Sequence, residues 1–329
     1  MQRLRMGILS TATIGLEHVI PGLQGSERCE VVAIGSRDES RARATAEQLG
    51  IPRAHGSYEA LLEDPEVDAV YNPLPNHLHA RWTLAAAEAG KHVLCEKPLA
   101  MDVGEAQEMI DGCRAAGVVL MEAFMYRLHP QWVRVRELVA SGALGDVHTV
   151  QAMFAYDNRD PDDIRNTAAF GGGGLMDIGC YCIDVSRMIF DDEPVRTEGL
   201  VRMDPEFGTD SHASGLLEFP GDRHASFTCS TQSAPDQRIH ITGTKAHLTV
   251  ELPFNVPPDR PVRLLLTPGW PDQEPEAIEI PAADHYGLEG DALAGCILDG
   301  EELATPPENG LANLAVIADL LASAGSFEG

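Results

Sequence analysis

Apolar runs and helix-like segments alternate through the first 120 residues, and this alternation constrains the fold more than any other feature of the sequence. The apolar runs lie at residues 6–9, 31–34, 67–71, 92–95 and 118–121, and the helix-like segments between them include 39–49 and 102–116. Strands that alternate with helices of this length form βαβ units in a parallel, doubly wound sheet. Because ligands bind such a sheet at the carboxyl ends of its strands, we expect one crevice to be lined by the loops after Leu9, Ile34, Tyr71 and Cys95.

The pattern changes after about residue 124. A glycine run at 171–174 precedes a helix-like segment at 175–190, and from 195 to 280 the runs are short and β-branched, as in antiparallel strands. We therefore predict an α/β protein with two domains. Residues 1–123 form a dinucleotide-binding Rossmann-like domain with a doubly wound parallel sheet. Residues 124–329 form an α+β domain for substrate binding and oligomerisation, with a large, mostly antiparallel sheet and C-terminal helices that can pack back toward the first domain.

Composition argues against several classes of function. The formal net charge of −27 predicts a solvated acidic surface and argues against nucleic acid or an anionic membrane as a partner. The seven cysteines include no C-x-x-C pair, and the histidines are scattered, so we expect reduced thiols and no metal site. Since no apolar stretch is long enough to span a bilayer and no basic-then-apolar leader opens the sequence, we expect a cytoplasmic protein.

The turn after the first apolar run is the first candidate for a nucleotide site. A dinucleotide fingerprint places glycines at positions 10, 12 and 15 of this chain, where the sequence has Ser10, Ala12 and Gly15. The match is weak by itself and also fits an ordinary strand–turn–helix. The small residues nevertheless permit a pyrophosphate to approach the backbone, and the amides at the start of a helix favour that anion.

The end of the second apolar run distinguishes between the two nicotinamide cofactors. An NAD site has an acidic residue here for the ribose hydroxyls, whereas this chain has Ser36 and Arg37, with Arg41 one helical turn further on. A hydroxyl and guanidinium groups suit the additional 2′-phosphate of NADP. The alternative is that both arginines are solvated residues at the start of a helix. We predict NADP as the cofactor, with NAD less favoured.

The segment Glu96-Lys97-Pro98 directly follows an apolar run and carries the strongest local signal. With this segment the sequence resembles the glucose–fructose oxidoreductase/inositol dehydrogenase (Gfo/Idh/MocA) family. The other motifs that carry the resemblance are Ser36-Arg37 and the segments 75–79, 122–127, 172–181 and 286–300. The later of these motifs resemble the subgroup of NADP-dependent pyranose and pentose dehydrogenases and dimeric dihydrodiol dehydrogenases.

The resemblance implies a role for each matching residue. Lys97 would be the catalytic lysine, hydrogen-bonded to the reacting oxygen. Asp177 and Tyr181 are four residues apart and share one helical face, so Asp177 would bind a substrate hydroxyl or hold the acid in place. Tyr181 stands where much of the family has histidine, and it would exchange a proton with the substrate oxygen. A neighbouring ammonium group would lower the pKa of Tyr181 from about 10.

The resemblance also gives the complete set of expected contacts. The expected cofactor-binding residues are Ser10, Thr11, Ala12, Ile14, Ser36, Arg37, Arg41, Leu74, Pro75, Asn76, His77, Glu96, Lys97 and Arg127. The expected substrate-binding residues are Lys97, Arg165, Asp177 and Tyr181, with no metal ligand. We interpret His77 and His79 as loop-packing or cofactor-contact residues rather than bases.

The leading interpretation is an NADP(H)-dependent oxidoreductase that transfers a hydride between nicotinamide and a sugar or related cyclic polyol. Its reaction would be similar to that of D-xylose 1-dehydrogenases, which oxidise C1 of a cyclic aldose to a lactone. Two alternatives stay open: a trans-dihydrodiol or dicarbonyl oxidoreductase, and a non-catalytic NAD(P)-binding sensor. A sensor has no need of both Lys97 and Tyr181. The resemblance further implies a homodimer or homotetramer.

Overall fold

The computed structural model describes residues 2–269 and 273–326, which form two compact units. The first unit contains the described residues of Met1–Leu128 and Asp284–Leu311. The second contains those of His129–Ala283 and Ala312–Gly329. Each unit is therefore built from two segments that are distant in the sequence.

A six-stranded parallel sheet forms the centre of the first unit. Its strands are β1 (Leu4–Leu9), β2 (Cys29–Gly35), β3 (Arg53–His55), β4 (Ala69–Asn72), β5 (His92–Glu96) and β6 (Leu120–Ala123). The strand order is β3-β2-β1-β4-β5-β6, and every neighbouring pair is parallel. The order reverses direction at β1, so the doubly wound arrangement predicted from the sequence is confirmed.

A nine-stranded, mostly antiparallel sheet forms the centre of the second unit. Its strands are β7 (Val147–Asp157), β8 (Arg196–Met203), β9 (Asp210–Phe219), β10 (Arg223–Ser230), β11 (Gln232–Gly243), β12 (Ala246–Val250), β13 (Val262–Pro268), β14 (Glu276–Ile280) and β15 (Gly325–Ser326). The order is β14-β13-β12-β11-β7-β10-β9-β8-β15. Only β7–β10 and β8–β15 are parallel among the pairs formed by the described strands. The predicted fold class is confirmed for this part of the chain too.

The α-helices flank these two sheets. They are α1 (Ile20–Gly25), α2 (Glu39–Leu49), α3 (Tyr58–Leu62), α4 (His79–Glu88), α5 (Val103–Ala116), α6 (Pro130–Ala140), α7 (Cys180–Phe190), α8 (His285–Asp299) and α9 (Pro307–Ser323). A π-helical turn at Gly15–Val19 leads into α1, and a second one at Leu175–Gly179 leads into α7. Such turns are rare in proteins overall, but those that do occur often lie at functional sites. Here both turns lie beside residues that the sequence predicts to contact ligands.

Local chemistry explains where the best-predicted helices begin and end. The Asp102 carboxylate accepts the amide hydrogen of Glu105 at 2.9 Å and caps the start of α5, and Gly117 ends this helix in the left-handed conformation, with a φ of 68°. The helix predicted over 102–116 is therefore confirmed. In α2, Asp38 and Gly50 have the same two roles.

The core of the first unit includes the helix that follows residue 284. Leu293 and Ala294 of α8 are fully buried in the same cluster as Leu4 and Ile8 of β1. A Cβ atom at Gly22 would lie 2.8 Å from the backbone nitrogen of Gly287, so only glycine permits this approach of α1 to α8. The late segment is therefore an integral part of the unit that carries the parallel sheet.

Three further observations bear on function. Within residues 2–269 and 273–326, no helix has the length and apolar character that crossing a membrane requires. The same described residues contain no group of three or more His, Cys, Asp or Glu side chains placed to hold a metal ion. All seven cysteines are free thiols, and six of them are buried.

Candidate functional site

The turn after β1 adopts a conformation that normally favours glycine. Ser10 has a φ of 81°, and its amide donates to the carbonyl of Gly35 at 2.9 Å. The Ser10 hydroxyl oxygen accepts the amide hydrogen of Ala12 at 3.2 Å, which compensates part of the backbone strain. Serine thus occupies the first glycine position of the fingerprint without changing the path of the turn.

Two arginines and a buried serine come together at the end of β2. Ser36 is 7% exposed, whereas Arg37 and Arg41 are exposed. Arg41 donates a hydrogen bond of 3.4 Å to the carbonyl of Thr11, which joins α2 to the turn after β1. Both guanidinium groups lie within electrostatic reach of the Tyr58 hydroxyl. The first unit therefore brings these predicted cofactor residues to one place and gives it a positive charge.

Asp38, the acidic residue that follows Arg37, has its carboxylate hydrogen-bonded to the start of α2. Oδ1 of Asp38 accepts the amide hydrogens of Ser40 at 2.9 Å and Arg41 at 3.2 Å, and also the hydroxyl hydrogen of Ser40. The Ser40 hydroxyl and these amides lower the pKa of Asp38. A carboxylate held in this way caps a helix and is not directed to a ribose hydroxyl.

The loop after β4 is held by a buried histidine. The ring nitrogens of His79 lie 2.7 Å from the carbonyl oxygen of Leu74 and 3.0 Å from that of Pro98. Burial lowers the pKa of His79 to about 4, although these carbonyl acceptors oppose the shift, so the neutral ring donates to one carbonyl and packs against the other. His79 is therefore a loop-packing residue, and it links two of the loops that the sequence predicts to contact the cofactor. The other predicted members of this loop, Pro75, Asn76 and His77, are half-buried.

Glu96 and Lys97 lie at the carboxyl end of β5. The buried Tyr71 hydroxyl donates to Oε1 of Glu96 at 2.6 Å, and the Lys97 amide donates to Oε2 at 3.3 Å. Burial and the Glu96 charge raise the pKa of Tyr71, which keeps this donor protonated. The Lys97–Pro98 peptide bond is cis. These contacts fix Glu96 at the end of β5 beside the predicted catalytic lysine.

The remaining predicted cofactor residues of the first unit are spread over its loops. Thr11 and Leu74 are buried, and Ala12 and Ile14 are half-buried. Arg127 is half-buried, and its Nη1 donates to Oδ1 of Asn309 at 3.4 Å. This bond anchors Arg127 to the start of α9.

In the second unit, Asp177 is the centre of a polar cluster. Its Oδ2 accepts the hydroxyl hydrogen of Tyr156 at 2.5 Å, and its Oδ1 accepts from Nε of Arg165 at 3.3 Å. Arg165 also lies 3.4 Å from Oδ1 of Asp163. Burial and the Asp177 charge raise the pKa of Tyr156, and the Asp177 charge raises that of Arg165. The cluster therefore presents a protonated phenol and a permanent cation around one carboxylate.

Tyr181 lies one helical turn after Asp177 in an aromatic environment. Its side chain is 5% exposed. Its ring centroid is 5.6 Å from that of Phe154 and 5.1 Å from that of Phe254. These rings fix the orientation of the phenol, since aromatic pairs at such distances have preferred geometries. Lys97 belongs to the first unit, and Asp177, Tyr181 and Arg165 belong to the second.

Tyr156 is the member of this cluster that sequence reasoning missed. It is the penultimate residue of β7, a strand that was not expected between residues 140 and 170. The signal in the sequence is the alternation along 147–157, where Val150, Ala152 and Phe154 are buried and Gln151 is exposed. Recognition of that period would have placed a strand here, but not the contact of its last tyrosine with Asp177.

Two family models match this chain. Residues 4–124 match the model of an oxidoreductase family with an NAD-binding Rossmann fold, and residues 132–249 match that of the GFO/IDH/MocA C-terminal domain. The two matches fall on the parallel-sheet unit and on the segment that carries Tyr156, Asp177 and Tyr181.

Three relatives illustrate the similarity. D-xylose 1-dehydrogenase (NADP(+)) 2 of Haloferax volcanii is 41% identical, over 98% of this chain and 97% of its own length. Trans-1,2-dihydrobenzene-1,2-diol dehydrogenase of Mus musculus is 37% identical, over 75% of this chain and 74% of its own. The crystal structure of KijD10, a 3-ketoreductase from Actinomadura kijaniata in complex with NADP and TDP-benzene, has a TM-score of 0.90 and 31% identity, covering 98% of both chains.

Proposed function

Because the chain belongs to the Gfo/Idh/MocA family of oxidoreductases, we propose that it is an NADP(H)-dependent dehydrogenase that oxidises C1 of a cyclic aldose to a lactone, or catalyses the reverse reduction. The observation that carries the proposal is the cluster around Asp177. A carboxylate held by Tyr156 and Arg165 precedes Tyr181 by one turn of the same helix. Such a group can accept a hydrogen bond from a sugar hydroxyl, and the phenol can exchange a proton.

The residues at the end of β2 fit NADP. The 2′-phosphate carries two negative charges, and Arg37 and Arg41 supply guanidinium groups beside the hydroxyl of Ser36. Asp38, which would repel that phosphate, has its carboxylate turned to the start of α2. The amides after Ser10 would receive the pyrophosphate. We therefore propose NADP rather than NAD as the preferred cofactor, in agreement with the Haloferax relative and with the NADP bound to KijD10.

In the proposed oxidation, each residue of the chain has one task. The nicotinamide, when bound, supplies the acceptor for the hydride that leaves C1 with its bonding electron pair. In this direction Tyr181 acts as the phenolate and takes the proton of the C1 hydroxyl to become the neutral phenol, and Lys97 donates a hydrogen bond to the reacting oxygen as the carbonyl forms. Asp177 accepts from a second sugar hydroxyl, and Arg165 pairs with Asp177 at 3.3 Å. The proton and the hydride together account for the two hydrogens that are lost when an aldose becomes a lactone.

A substrate panel tests the proposal. NADPH formation is measured by absorbance with pentoses, hexoses and trans-dihydrodiols at saturating NADP⁺. Turnover of a cyclic aldose, with the lactone as product, is the expected result. Preferential turnover of trans-dihydrodiols would instead support the alternative suggested by the mouse relative. Tight NADPH binding without turnover of any member of the panel would support a sensor and contradict the proposed activity.

We also propose a homodimer or larger homo-oligomer formed through the large sheet. Leu200 on β8 and Leu216 on β9 are 53% and 62% exposed and lie on the same face of the sheet. Exposed aliphatic side chains on an extended sheet face are typical of protein interfaces. The free thiols of the seven cysteines fit a reducing compartment, and we propose the cytoplasm.

A further inference from the structure

The glycine run before the proposed catalytic helix lies against a buried carboxylate. Oδ2 of Asp210, the first residue of β9, accepts the amide hydrogen of Leu175 at 2.7 Å. A Cβ atom on Gly173 would clash with Oδ1 of Asp210. Gly173 also has a φ of 123°, a backbone conformation that residues with a Cβ atom rarely adopt. The run therefore allows the carboxylate to approach the backbone at the start of the π-helical turn Leu175–Gly179.

The backbone that receives Asp210 also holds the polar cluster around Asp177. The amide of Gly173 donates to the carbonyl of Arg165 at 2.9 Å, and the Asp177 amide donates to the carbonyl of Gly173 at 3.0 Å. A Cβ atom on Gly172 would clash with that same Arg165 carbonyl. A displacement of the turn at Leu175 would thus be transmitted to both Arg165 and Asp177, and along the helix to Tyr181.

Asp210 is itself held firmly. It is 7% exposed, and its carboxylate accepts the amide hydrogen of Leu175, while the amides of Gly174 and of Asp210 itself lie near enough to favour the ionised form. Burial raises the pKa of Asp210 to about 6, these amides oppose that shift, and the nearby charge of Asp177 adds to it. The titratable groups that face Asp210 are Asp177 from the helix and the buried thiol of Cys229 on β10. A buried acid with backbone donors is a costly arrangement, because an ion loses its hydration there.

We propose that Asp210 is a positioning residue for the reaction: its carboxylate anchors the first turn of the helix and thereby holds Asp177 and Tyr181 in their reactive orientation. The inference rests on the proposed function, because it assigns a catalytic purpose to the helix. It gives a reason for glycine at position 173, since both the approach of the Asp210 carboxylate and the φ of 123° exclude a Cβ atom there. Asp210 acts through backbone amides and touches neither substrate nor cofactor.

Two substitutions test this role. Asp210→Asn keeps the volume and one acceptor oxygen but removes the charge, and Asp210→Ala removes the anchor. Because a misplacement of about 1 Å can cost on the order of 10²-fold in rate, we expect kcat for the aldose to fall by about that factor in Asp210→Ala and by less in Asp210→Asn. The affinity for NADPH, measured by fluorescence titration, should stay within about twofold of the wild type.

The pH profile separates positioning from a general structural role. Wild-type kcat should decline on the acid side near pH 6 as Asp210 is protonated, and this decline should be absent in Asp210→Asn. Since a raised carboxyl pKa means that the ionised form costs stability in the folded state, Asp210→Asn should unfold at the same temperature as the wild type or higher at neutral pH. Asp204→Asn is the matched control, because the carboxylate of Asp204 also accepts backbone amide hydrogens, those of Glu206 and Phe207, in the turn between β8 and β9.

The possible outcomes are distinguishable. If Tyr181→Phe abolishes turnover while both Asp210 variants keep wild-type kcat, or if Asp210→Asn retains the acid decline near pH 6, the positioning role is wrong. If Asp210→Asn loses activity only in proportion to a lowered unfolding temperature, its role is purely structural and the inference is also overturned. If Tyr181→Phe and the Asp210 variants all retain full activity, the proposed function of the helix itself is wrong.

Discussion

The hydroxyl of Tyr156 donates a hydrogen bond of 2.5 Å to Oδ2 of Asp177, one of the shortest polar contacts in the second unit. Tyr156 stays protonated because burial and the Asp177 charge raise its pKa. Tyr156→Phe should therefore lower kcat/KM for the aldose without changing NADPH affinity. A hydrogen bond to a charged group contributes about 1.5 to 3 kcal/mol, so the expected loss is roughly 10- to 100-fold.

A steady-state comparison with two variants checks this expectation. Arg165→Met removes the second partner of Asp177 and should give a loss of the same order. Ser214→Ala, on β9, is the control that removes a hydroxyl outside the Asp177 cluster, since the Ser214 hydroxyl pairs with that of Thr228. Unchanged kcat/KM for the aldose in Tyr156→Phe would show that Asp177 needs no donor from β7.

Cofactor choice depends on the guanidinium groups at the end of β2. Arg37→Ala should reduce kcat/KM with NADP⁺ about tenfold or more and leave kcat/KM with NAD⁺ nearly unchanged, because only NADP has a 2′-phosphate for the guanidinium to contact. Arg43→Ala is the matched control, since Arg43 lies in α2, the helix directly after Arg37 and Asp38, but pairs with Glu39. A wild-type preference for NAD⁺, or equal effects of both substitutions, would contradict the proposed phosphate site.

Because the carboxyl group of Glu289 in α8 is buried, we expect the free energy of unfolding to depend on pH. Glu289 is 1% exposed, and neither carboxylate oxygen has a hydrogen-bond partner among the described residues. Burial, with a smaller effect of the Glu96 charge, raises its pKa well above the usual range. The folded state then keeps a proton that the unfolded state releases, so the free energy of unfolding falls as pH rises above the unfolded pKa of about 4.3.

Glu289→Gln keeps the shape and removes this titration. Its free energy of unfolding relative to the wild type should rise by about 1.4 kcal/mol per pH unit between roughly pH 5 and pH 7. Urea unfolding at several pH values measures this difference, with the exposed Glu276→Gln as the control. A difference that is constant with pH would mean that Glu289 is ionised in the folded protein.

The elements that can be predicted from the sequence are those whose bounds are set by residues close to them in the chain. The bounds of α2 and α5 follow from Asp38, Asp102 and the glycines after them, because a cap and a left-handed residue act within one turn. The strand β7 lies at the centre of its sheet between β10 and β11, whose paired residues follow it in the sequence by 75 positions or more (224 − 149 = 75, 232 − 157 = 75), and no local signal identifies such partners.

The functional site shows the same difference between features set by neighbouring residues and features set by long-range contacts. The motifs around Lys97 and Asp177 can be recognised because their residues are contiguous. Tyr156 and Asp210 are single residues in strands, and their contacts with Asp177 and Leu175 exist only after the second sheet has formed. Ser10 is an intermediate case: its position is given by the fingerprint, but its left-handed conformation could be seen only in the structure.

The proposed dimer makes a prediction about the face of the large sheet. Leu216→Lys should convert a dimer or tetramer into a folded particle with the mass of a single chain, because a charge would be buried in the interface. Val133→Lys, on the exposed face of α6, is the control and should leave the mass unchanged. Light scattering measures both. A wild-type protein with the mass of one chain at micromolar concentration would contradict the proposal.

In the proposed reaction Tyr181 exchanges the proton during hydride transfer, and Lys97 donates a hydrogen bond to the reacting oxygen. Tyr181→Phe keeps the aromatic ring beside Phe154 and Phe254 but removes the hydroxyl that exchanges the proton. Lys97→Met keeps the bulk of the side chain but removes its positive charge. General acid–base catalysis contributes about 10²- to 10⁴-fold, so each substitution should lower kcat by that order. The double variant should lose much less than the product of the two losses, because groups that act as a unit are not additive.

The most direct test is a single-turnover measurement of NADPH formation by Tyr181→Phe with the aldose identified in the substrate panel. We expect the rate to fall by about 10²-fold or more, while the fluorescence titration gives an NADPH affinity equal to that of the wild type. A near-normal rate in Tyr181→Phe would contradict the proposed role of Tyr181. Asp177 or His77 would then be the candidate for proton exchange with the substrate.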